Sequence, residues 1–167
     1  LRMLPFVLNV EWIEPSAMPV ASYNDYDTTL DADRMLVLEG QLRSLGISDW
    51  QKAGYNGKGV RIAILDVGFD RADQVPAFDH IRNEKRLIAT RDFTSRKYSE
   101  NVYYGNGHGT EVWSCIGGKI GDLQIGLATG AEFLLAKTEK NSEKYAEELY
   151  WLAAAEWADK NGADIIN

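Results

Sequence analysis

The chain has 167 residues, a hydrophobic content of 45% and a formal net charge of −7 at pH 7. A chain of this length fits one domain with a sizeable core, and its acidity argues against a nucleic-acid partner bound through phosphates. No stretch approaches the roughly 18 to 20 apolar residues of a membrane span. The single cysteine, Cys115, has no internal disulfide partner, and its apolar neighbours predict a packed thiol.

Residues 1–29 are predicted to form a separate N-terminal arm, which is either the tail of a propeptide or an extension of the main domain over residues 30–167. Residues 4–13 are strand-like, but two prolines then interrupt the pattern. Because the chain starts with Leu1 rather than Met, we interpret it as a processed or engineered piece of a longer precursor. Mass spectrometry of the native protein would test this interpretation.

The main domain is predicted to begin with two helices. Apolar residues spaced by three and four predict a helix over residues 30–45, and Gly46 supplies its stop signal. Those apolar positions are Met35, Leu38, Leu42 and Leu45. Ser48 is the predicted N-cap of a second, short helix over residues 49–53.

Short apolar segments predict parallel strands that are covered on both faces. They span residues 60–65, 85–90 and 132–136, and residues 163–167 begin a further strand. A polar loop is predicted over residues 91–106. Strands that alternate with helices predict an α/β fold with a doubly wound, mostly parallel sheet.

The most regular helix is predicted over residues 142–160, with Ser142 as its N-cap. Two rows of apolar side chains border its predicted buried face. One row has Tyr145, Leu149 and Leu152, and the other has Trp151, Ala154, Ala155 and Ala158.

Two polar residues stand out against this framework. Asp66 ends an apolar strand, and Gly68 allows the chain a tight departure. In open α/β sheets, ligands bind outside the carboxyl ends of the strands, so Asp66 is a candidate site residue. His108 lies between Gly107 and Gly109, which leave its imidazole unobstructed at the head of a predicted helix.

Each of these residues also has an ordinary structural interpretation. Asp66 alone fits a cap or a surface turn, and His108 alone fits an exposed loop histidine. His80 is not flanked by glycines and is interpreted as structural or solvated. A carboxylate and an imidazole together, however, supply the orienting acid and the base that a weak hydroxyl nucleophile needs. We therefore predict that Asp66 contacts His108 at the edge of one sheet and that both are catalytic.

Four segments in order carry a family resemblance. Residues 57–70 read GKGVRIAILDVGFD, and residues 107–112 read GHGTEV. They resemble the aspartate and histidine blocks of subtilisin-like serine peptidases. Residues 126–132 are similar to the G-[VL]-A-P-x-A-x stretch of that family, and residues 153–167 to the helix and strand before its substrate segment. The residues Ala-Ala-Glu-Trp-Ala in the last segment, together with Lys137-Thr138-Glu139, are similar to those of secreted subtilases of Bacteroidetes-type bacteria.

The resemblance implies a subtilisin-like fold, peptide-bond hydrolysis through an acyl-enzyme, and a secreted or periplasmic location. Asp66 would orient His108, which would take the proton of a serine. The family's Gly-Thr-Ser-x-[AS]-x-Pro nucleophile block does not occur in the sequence, and neither Ser114 nor Asn167 is assigned to the missing catalytic positions. We therefore expect the N-terminal part of a peptidase domain, truncated before its C-terminal half and inactive alone.

The resemblance also implies binding partners. Residues 137–144 correspond to the family edge that pairs with an extended peptide substrate; a charged surface loop is the other interpretation. The predicted substrate-binding residues are Lys137, Thr138, Glu139 and Lys140. The C-terminal half of the peptidase domain, or self-association, is expected to cover the faces that the final strand leaves exposed.

No cofactor is required for this chemistry, and no metal site is predicted. Calcium is common in the family, and three aspartates supply oxygen ligands by type. These are Asp70, Asp73 and Asp79, whose spacing matches no calcium loop. A metal site that uses His108 and Glu111, with Asp66, lacks the further ligands that zinc needs.

Departures from the family pattern keep a second function open. Val67 stands where the family has Ser or Thr, Glu111 where it often has a second His, and Thr129 where it has Pro. The alternative is therefore a non-catalytic pseudo-peptidase or scaffold domain of the same fold.

Overall fold

A computed structural model describes residues 32–95, 97, 99–140 and 146–167. The predicted arm over residues 1–29 lies outside the described residues, as do Ser142 and Tyr145. The helices are α1 (Ala32–Ser44), α2 (Ile47–Lys52), α3 (Asp79–Asn83), α4 (His108–Gly117) and α5 (Ala146–Lys160), with a 3-10 turn at Pro76–Phe78. The strands are β1 (Arg61–Asp66), β2 (Leu87–Asp92), β3 (Lys119–Ile120), β4 (Leu123–Gln124), β5 (Glu132–Lys137) and β6 (Ile165–Ile166).

Four of these strands form a parallel sheet in the order β2-β5-β1-β6. The two middle strands, β1 and β5, are buried along almost their whole length, as their continuous apolar sequences require. β3 and β4 form a separate antiparallel pair that was not predicted. The predicted α/β fold with a mostly parallel sheet is confirmed.

Helices on both faces of the sheet create two apolar clusters. Alternate residues of β1 enter opposite clusters, because successive side chains of a strand point to opposite faces. The first cluster joins α3, α4 and the 3-10 turn to the sheet, and its largest buried side chains are Trp113, Phe69, Phe78 and Phe133. The second joins α5 to the sheet through Ala154 and Ala158.

β2 lies further along the chain than predicted. It runs over Leu87–Asp92 rather than residues 85–90, because Arg91 and Asp92 continue the pairing with Ala136 and Lys137 of β5. Asp92 is therefore a strand residue, not part of a loop. The 3-10 turn and α3 were also missed, since elements of three and five residues are too short to show a hydrophobic period.

The start of α2 corrects the predicted cap. Gly46 ends α1 in a left-handed conformation, with φ of 67°, and the next residue, Ile47, already begins α2. Ser48 therefore lies inside the helix rather than before it. Glycine adopts this conformation without a steric penalty, so a turn of only two residues, Leu45 and Gly46, joins the two helices.

The buried face of α5 is narrower than predicted. Ala154 and Ala158 are fully buried, whereas Leu149, Trp151 and Leu152 are 67%, 51% and 46% exposed. The alanines allow a close approach of α5 to the sheet, whereas these three larger side chains are exposed to solvent. None of the described helices is long and apolar enough to cross a bilayer.

The thiol of Cys115 is exposed, which corrects the predicted packed thiol. Trp113, two residues earlier on α4, is buried in the first cluster. Because two residues turn a helix through about 200°, Cys115 points away from that cluster.

Candidate active site

Asp66 closes β1 at the carboxyl edge of the sheet. Its side chain is only 8% exposed, and the backbone N–H of Val67 donates to Oδ1 at 2.7 Å. The backbone carbonyl of Asp66 accepts the N–H of Thr138 at 2.9 Å. The neighbouring strand therefore holds the backbone of Asp66, and the next residue holds its carboxylate. The buried Val67 thus contributes a backbone donor rather than a hydroxyl.

His108 is the first residue of α4. Its backbone N–H donates to Oδ1 of Asn106 at 2.8 Å, and the N–H of Gly109 donates to the carbonyl of Gly68 at 2.9 Å. These bonds satisfy two of the donors that a helix start leaves without a partner inside the helix. They also attach α4 to the turn that follows Asp66.

The side chains of Asp66 and His108 are in contact, as predicted. Nδ1 of His108 lies 3.0 Å from both Oδ1 and Oδ2 of Asp66. Because an ionised carboxylate only accepts hydrogen bonds, Nδ1 carries a hydrogen and donates it. Nε2 is then the acceptor nitrogen, on a side chain that is 54% exposed. This arrangement suits a general base that takes a proton from an incoming hydroxyl.

The environment of Asp66 is unfavourable for its charge. Burial raises the pKa of the Asp66 carboxyl above its ordinary value of 3.8, although the bonds from His108 and Val67 act in the opposite direction. A raised folded-state pKa means that the ionised carboxylate reduces the stability of the fold. Such a cost is typical of a residue retained for function.

Gly109 is required for close packing, not only for an unobstructed imidazole. A Cβ atom at this position would lie 2.5 Å from the carbonyl oxygen of Gly68 and 2.8 Å from Cε1 of Phe69. Thr110 makes a second contact to this turn, because its hydroxyl donates to the carbonyl of Asp70 at 3.0 Å. This bond joins two segments that are 40 residues apart in the sequence.

We expect Gly109→Ala to lower the free energy of unfolding by about 1–3 kcal/mol, the usual cost of overpacking. Gly40→Ala is the matched control, because Gly40 also lies in a helix and a Cβ there meets no atom within 4 Å. The control should raise stability or leave it unchanged. Urea unfolding of both variants provides the measurement, and equal effects would contradict the packing argument.

Two of the four predicted substrate residues are buried. Lys137 ends β5 and Thr138 follows it, and both residues are buried. The carbonyl of Lys137 accepts the N–H of Phe93 at 2.9 Å, while the N–H of Thr138 donates to Asp66. These bonds argue against a substrate contact through either residue. Glu139 and Lys140 are exposed and remain predicted contacts.

The aspartates considered for calcium do not converge. Asp70 pairs with Arg71 at 3.2 Å, and Asp79 pairs with Arg82. Within the described part of the chain, no three His, Cys, Asp or Glu side chains gather as a metal site. The exposed Glu111 lies in the first turn of α4.

His80 belongs to α3 and not to the pair at the edge of the sheet. Its ring is partly buried, and burial lowers its pKa below the ordinary value. This position supports the structural interpretation made from its sequence context.

Sequence reasoning missed two residues that shape the site. Asn106 binds the backbone of His108, and the Asn-x-His spacing was a usable signal, because Asn side chains often bond the backbone two residues on. Asp92 ends β2 as Asp66 ends β1. Its signal was an apolar segment that leads into an aspartate, but the predicted strand stopped two residues too early.

A parallel α/β sheet with an Asp–His pair at its carboxyl edge, and with Asp before His along the chain, is typical of α/β serine peptidases. A family model, peptidase S8 of the Subtilase family, matches residues 57–167. The chain therefore belongs to the subtilase family, as the resemblance predicted.

Individual relatives agree with this membership. The chain is 27% identical over 128 residues to the minor extracellular protease Epr of Bacillus subtilis (strain 168), an alignment that covers 75% of the chain and 18% of Epr. It also shares its fold with the CspB protease of Clostridium perfringens, with a TM-score of 0.56, 17% identity and coverage of 72% and 30% of the two chains. The fold is also similar to that of MycP1 without its N-terminal propeptide, with a TM-score of 0.51 and 23% identity. This match covers 75% of the chain and 36% of MycP1.

Proposed function

We propose that the chain carries the acid and the base of a serine endopeptidase that hydrolyses peptide bonds. The observation that carries this proposal is the contact of Nδ1 of His108 with both carboxylate oxygens of Asp66 at 3.0 Å. Family membership and the similarity to an extracellular protease support a peptide substrate. The chain spans 18% of the length of that curated relative, so the activity of the whole protein is part of the proposal.

The nucleophile is proposed to be a serine outside residues 1–167, because the sequence contains no Gly-Thr-Ser block. Nε2 of His108 removes the serine proton while the serine oxygen bonds to the scissile carbonyl carbon. The protonated imidazole then gives that proton to the leaving amine as the carbon–nitrogen bond breaks. Water releases the acyl group by the same steps, and Asp66 holds the imidazole and offsets its positive charge throughout.

Substrate is proposed to approach the exposed residues Glu139 and Lys140, which follow the buried end of β5. An extended peptide there would lie beside the carboxyl edge of the sheet, where Asp66 and His108 are located. Secretion is also proposed, since the relative Epr is an extracellular protease. The inference concerning location rests on this similarity.

A partner is proposed for the edge of the sheet at β6. Ile165 and Ile166 are 51% and 42% exposed, and unpaired apolar edge strands favour association. The proposed partner is the remainder of the peptidase domain, and self-association of the chain is the alternative.

A fluorophosphonate probe, which bonds covalently to an activated serine, tests the proposal. We expect the probe to label the longer product of the same reading frame, but not the 167-residue chain alone. Mixing the chain with the separately produced remainder should restore labelling together with a one-to-one complex in size-exclusion chromatography. His108→Ala should abolish labelling, whereas Cys115→Ser, which removes the exposed thiol of α4, should leave it intact.

The same experiment decides between the two candidate functions. A longer product that folds but is not labelled would refute the peptidase and favour the non-catalytic scaffold domain. Labelling that persists in His108→Ala would refute the assigned role of the histidine.

A further inference from the structure

Asp66 belongs to a row of three charged residues that crosses the sheet, together with Lys137 and Asp92. Lys137 closes β5, and its register partners are Asp66 of β1 and Asp92 of β2. All three residues are buried, and Asp92 is completely inaccessible. Residues at the same register of neighbouring parallel strands project from the same face. A buried charge is costly unless it is paired or hydrogen-bonded. The burial of Asp92 and Lys137 therefore requires a structural explanation.

Asp92 binds the segment that leads to His108. Its Oδ2 accepts the hydroxyl of Tyr104 at 2.6 Å, and its Oδ1 accepts the N–H and the hydroxyl of Thr94, both at 2.8 Å. The bond to Asp92 is the main cause that raises the pKa of Tyr104 to about 12. The tyrosine hydroxyl is therefore a stable donor at neutral pH, and it connects β2 to a residue four positions before His108.

Lys137 contacts the same segment, at Tyr104 and Gly105. Its Nζ lies 4.5 Å from the centroid of the Tyr104 ring, a cation–π distance. A Cβ atom on Gly105 would approach this Nζ to 3.1 Å, so the ammonium packs directly under the backbone. Burial lowers the pKa of Lys137, while the charge of Asp92 favours its protonated form.

The other side of this segment contacts the turn after Asp66. A Cβ atom on Gly68 would lie 3.0 Å from the carbonyl oxygen of Tyr104 and 2.8 Å from that of Asn106. The side chain of Asn106 then binds the backbone N–H of His108. Residues 104–107 are thus held between the turn that carries Asp66 and the pair formed by Asp92 and Lys137.

We propose that Asp92, Tyr104 and Lys137 form a positioning cluster that sets the imidazole of His108 against Asp66. Among the described residues, no hydrogen bond or ion pair joins any of the three to His108, so they act through the backbone of residues 104–107. The inference deepens the proposed function, since the cluster matters for catalysis only if the pair is catalytic. Its effect on the geometry of the pair is nevertheless measurable without any peptidase activity.

The test follows the Nδ1–H proton of His108 by NMR in the 167-residue chain labelled with [15N]histidine. His108→Ala assigns the signal, because the chain has only two histidines. We expect Tyr104→Phe to accelerate exchange of this proton with water at least about tenfold and to lower the fraction of the Nδ1–H tautomer. A hydrogen bond to an ionised group contributes local stability of that order. The variant removes one oxygen atom and keeps the ring over Lys137.

Tyr103→Phe is the matched control, since it removes a hydroxyl from the adjacent tyrosine of the same segment. It should leave the His108 signal unchanged. Lys137→Met should also accelerate exchange, and Lys137→Arg, which keeps a cation, should restore the original rate. If Lys137→Met does not fold, the comparison of Tyr104→Phe with Tyr103→Phe decides alone.

Two results would overturn the cluster. One is an unchanged His108 signal in folded Tyr104→Phe; the other is an equal change in Tyr103→Phe. Failure of the proposed function is a separate outcome, because it would be seen as the absence of fluorophosphonate labelling in a folded longer product. An altered His108 signal in Tyr104→Phe, without labelling of the longer product, would therefore support the positioning cluster and refute the peptidase proposal.

Discussion

His108→Ala is expected to lower kcat/KM of the proposed longer protein with the serine by about 10⁶-fold, the order found when the base of such a triad is removed. Without the imidazole, no group at the edge of the sheet accepts the serine proton, and the hydroxyl remains a poor nucleophile. The carboxylate of Asp66 would stay in place but would have nothing to orient. Cleavage of a fluorogenic peptide at substrate concentrations below KM measures the effect.

His80→Ala is the appropriate control for this substitution. It removes the other histidine of the chain, which lies on α3 away from the pair, and should leave kcat/KM within about twofold. A comparable loss in both variants would indicate general destabilisation. A retained rate in His108→Ala would remove the basis of the peptidase assignment.

Asp66→Asn is expected to lower kcat/KM by about 10⁴-fold, the effect typical of this change in a catalytic triad. Asparagine has nearly the same shape, but its amide nitrogen can donate to Nδ1 of His108. The imidazole then carries its hydrogen on Nε2 and cannot accept the serine proton. The same peptide assay measures this loss, and a decrease of less than tenfold would show that the carboxylate does not orient the base.

The same variant should be more stable than the parent chain at neutral pH. Burial raises the pKa of Asp66 above 3.8, so the folded state binds more protons than the unfolded state between 3.8 and the folded pKa. The stability contributed by this residue is therefore greatest below pH 3.8 and decreases as the pH rises through that window. Asparagine does not ionise and avoids the decrease.

Urea unfolding at two pH values provides the measurement. The free energies of unfolding of Asp66→Asn and the parent chain should agree below pH 3.8, and the variant should be the more stable at pH 7. A variant that is less stable at pH 7 would show that the bonds from His108 and Val67 outweigh the burial of the charge. Higher stability combined with lower activity would identify Asp66 as a residue retained for chemistry.

The positioning cluster and the Asp–His pair occupy one edge of the sheet for the same physical reason. The carboxyl ends of parallel strands lie together, so the last residues of β1, β5 and β2 become neighbours although they are far apart along the chain. Asp66 supplies the proposed orienting acid, while Lys137 and Asp92 support the segment before His108. A single edge thereby combines the proposed chemistry with the structure that holds it.

Parts of this arrangement follow from local sequence. The continuous apolar character of β1 and β5 predicted buried parallel strands, and the strand-end position of Asp66 predicted a site residue. The glycine frame predicted an accessible His108 at the head of α4. These predictions succeed because strand burial, turn conformation and helix starts depend mainly on a few neighbouring residues.

By itself, the sequence determined the parallel α/β fold, the Asp66–His108 pair and the resemblance to the subtilase family. Only the tertiary structure decided that Lys137 is buried, that Asp92 belongs to a strand, and that the fully buried residues of α5 are alanines. Each of these features depends on strand register or on helix packing between segments distant in sequence. Local hydrophobic patterns carry no information about which distant residue becomes the neighbour.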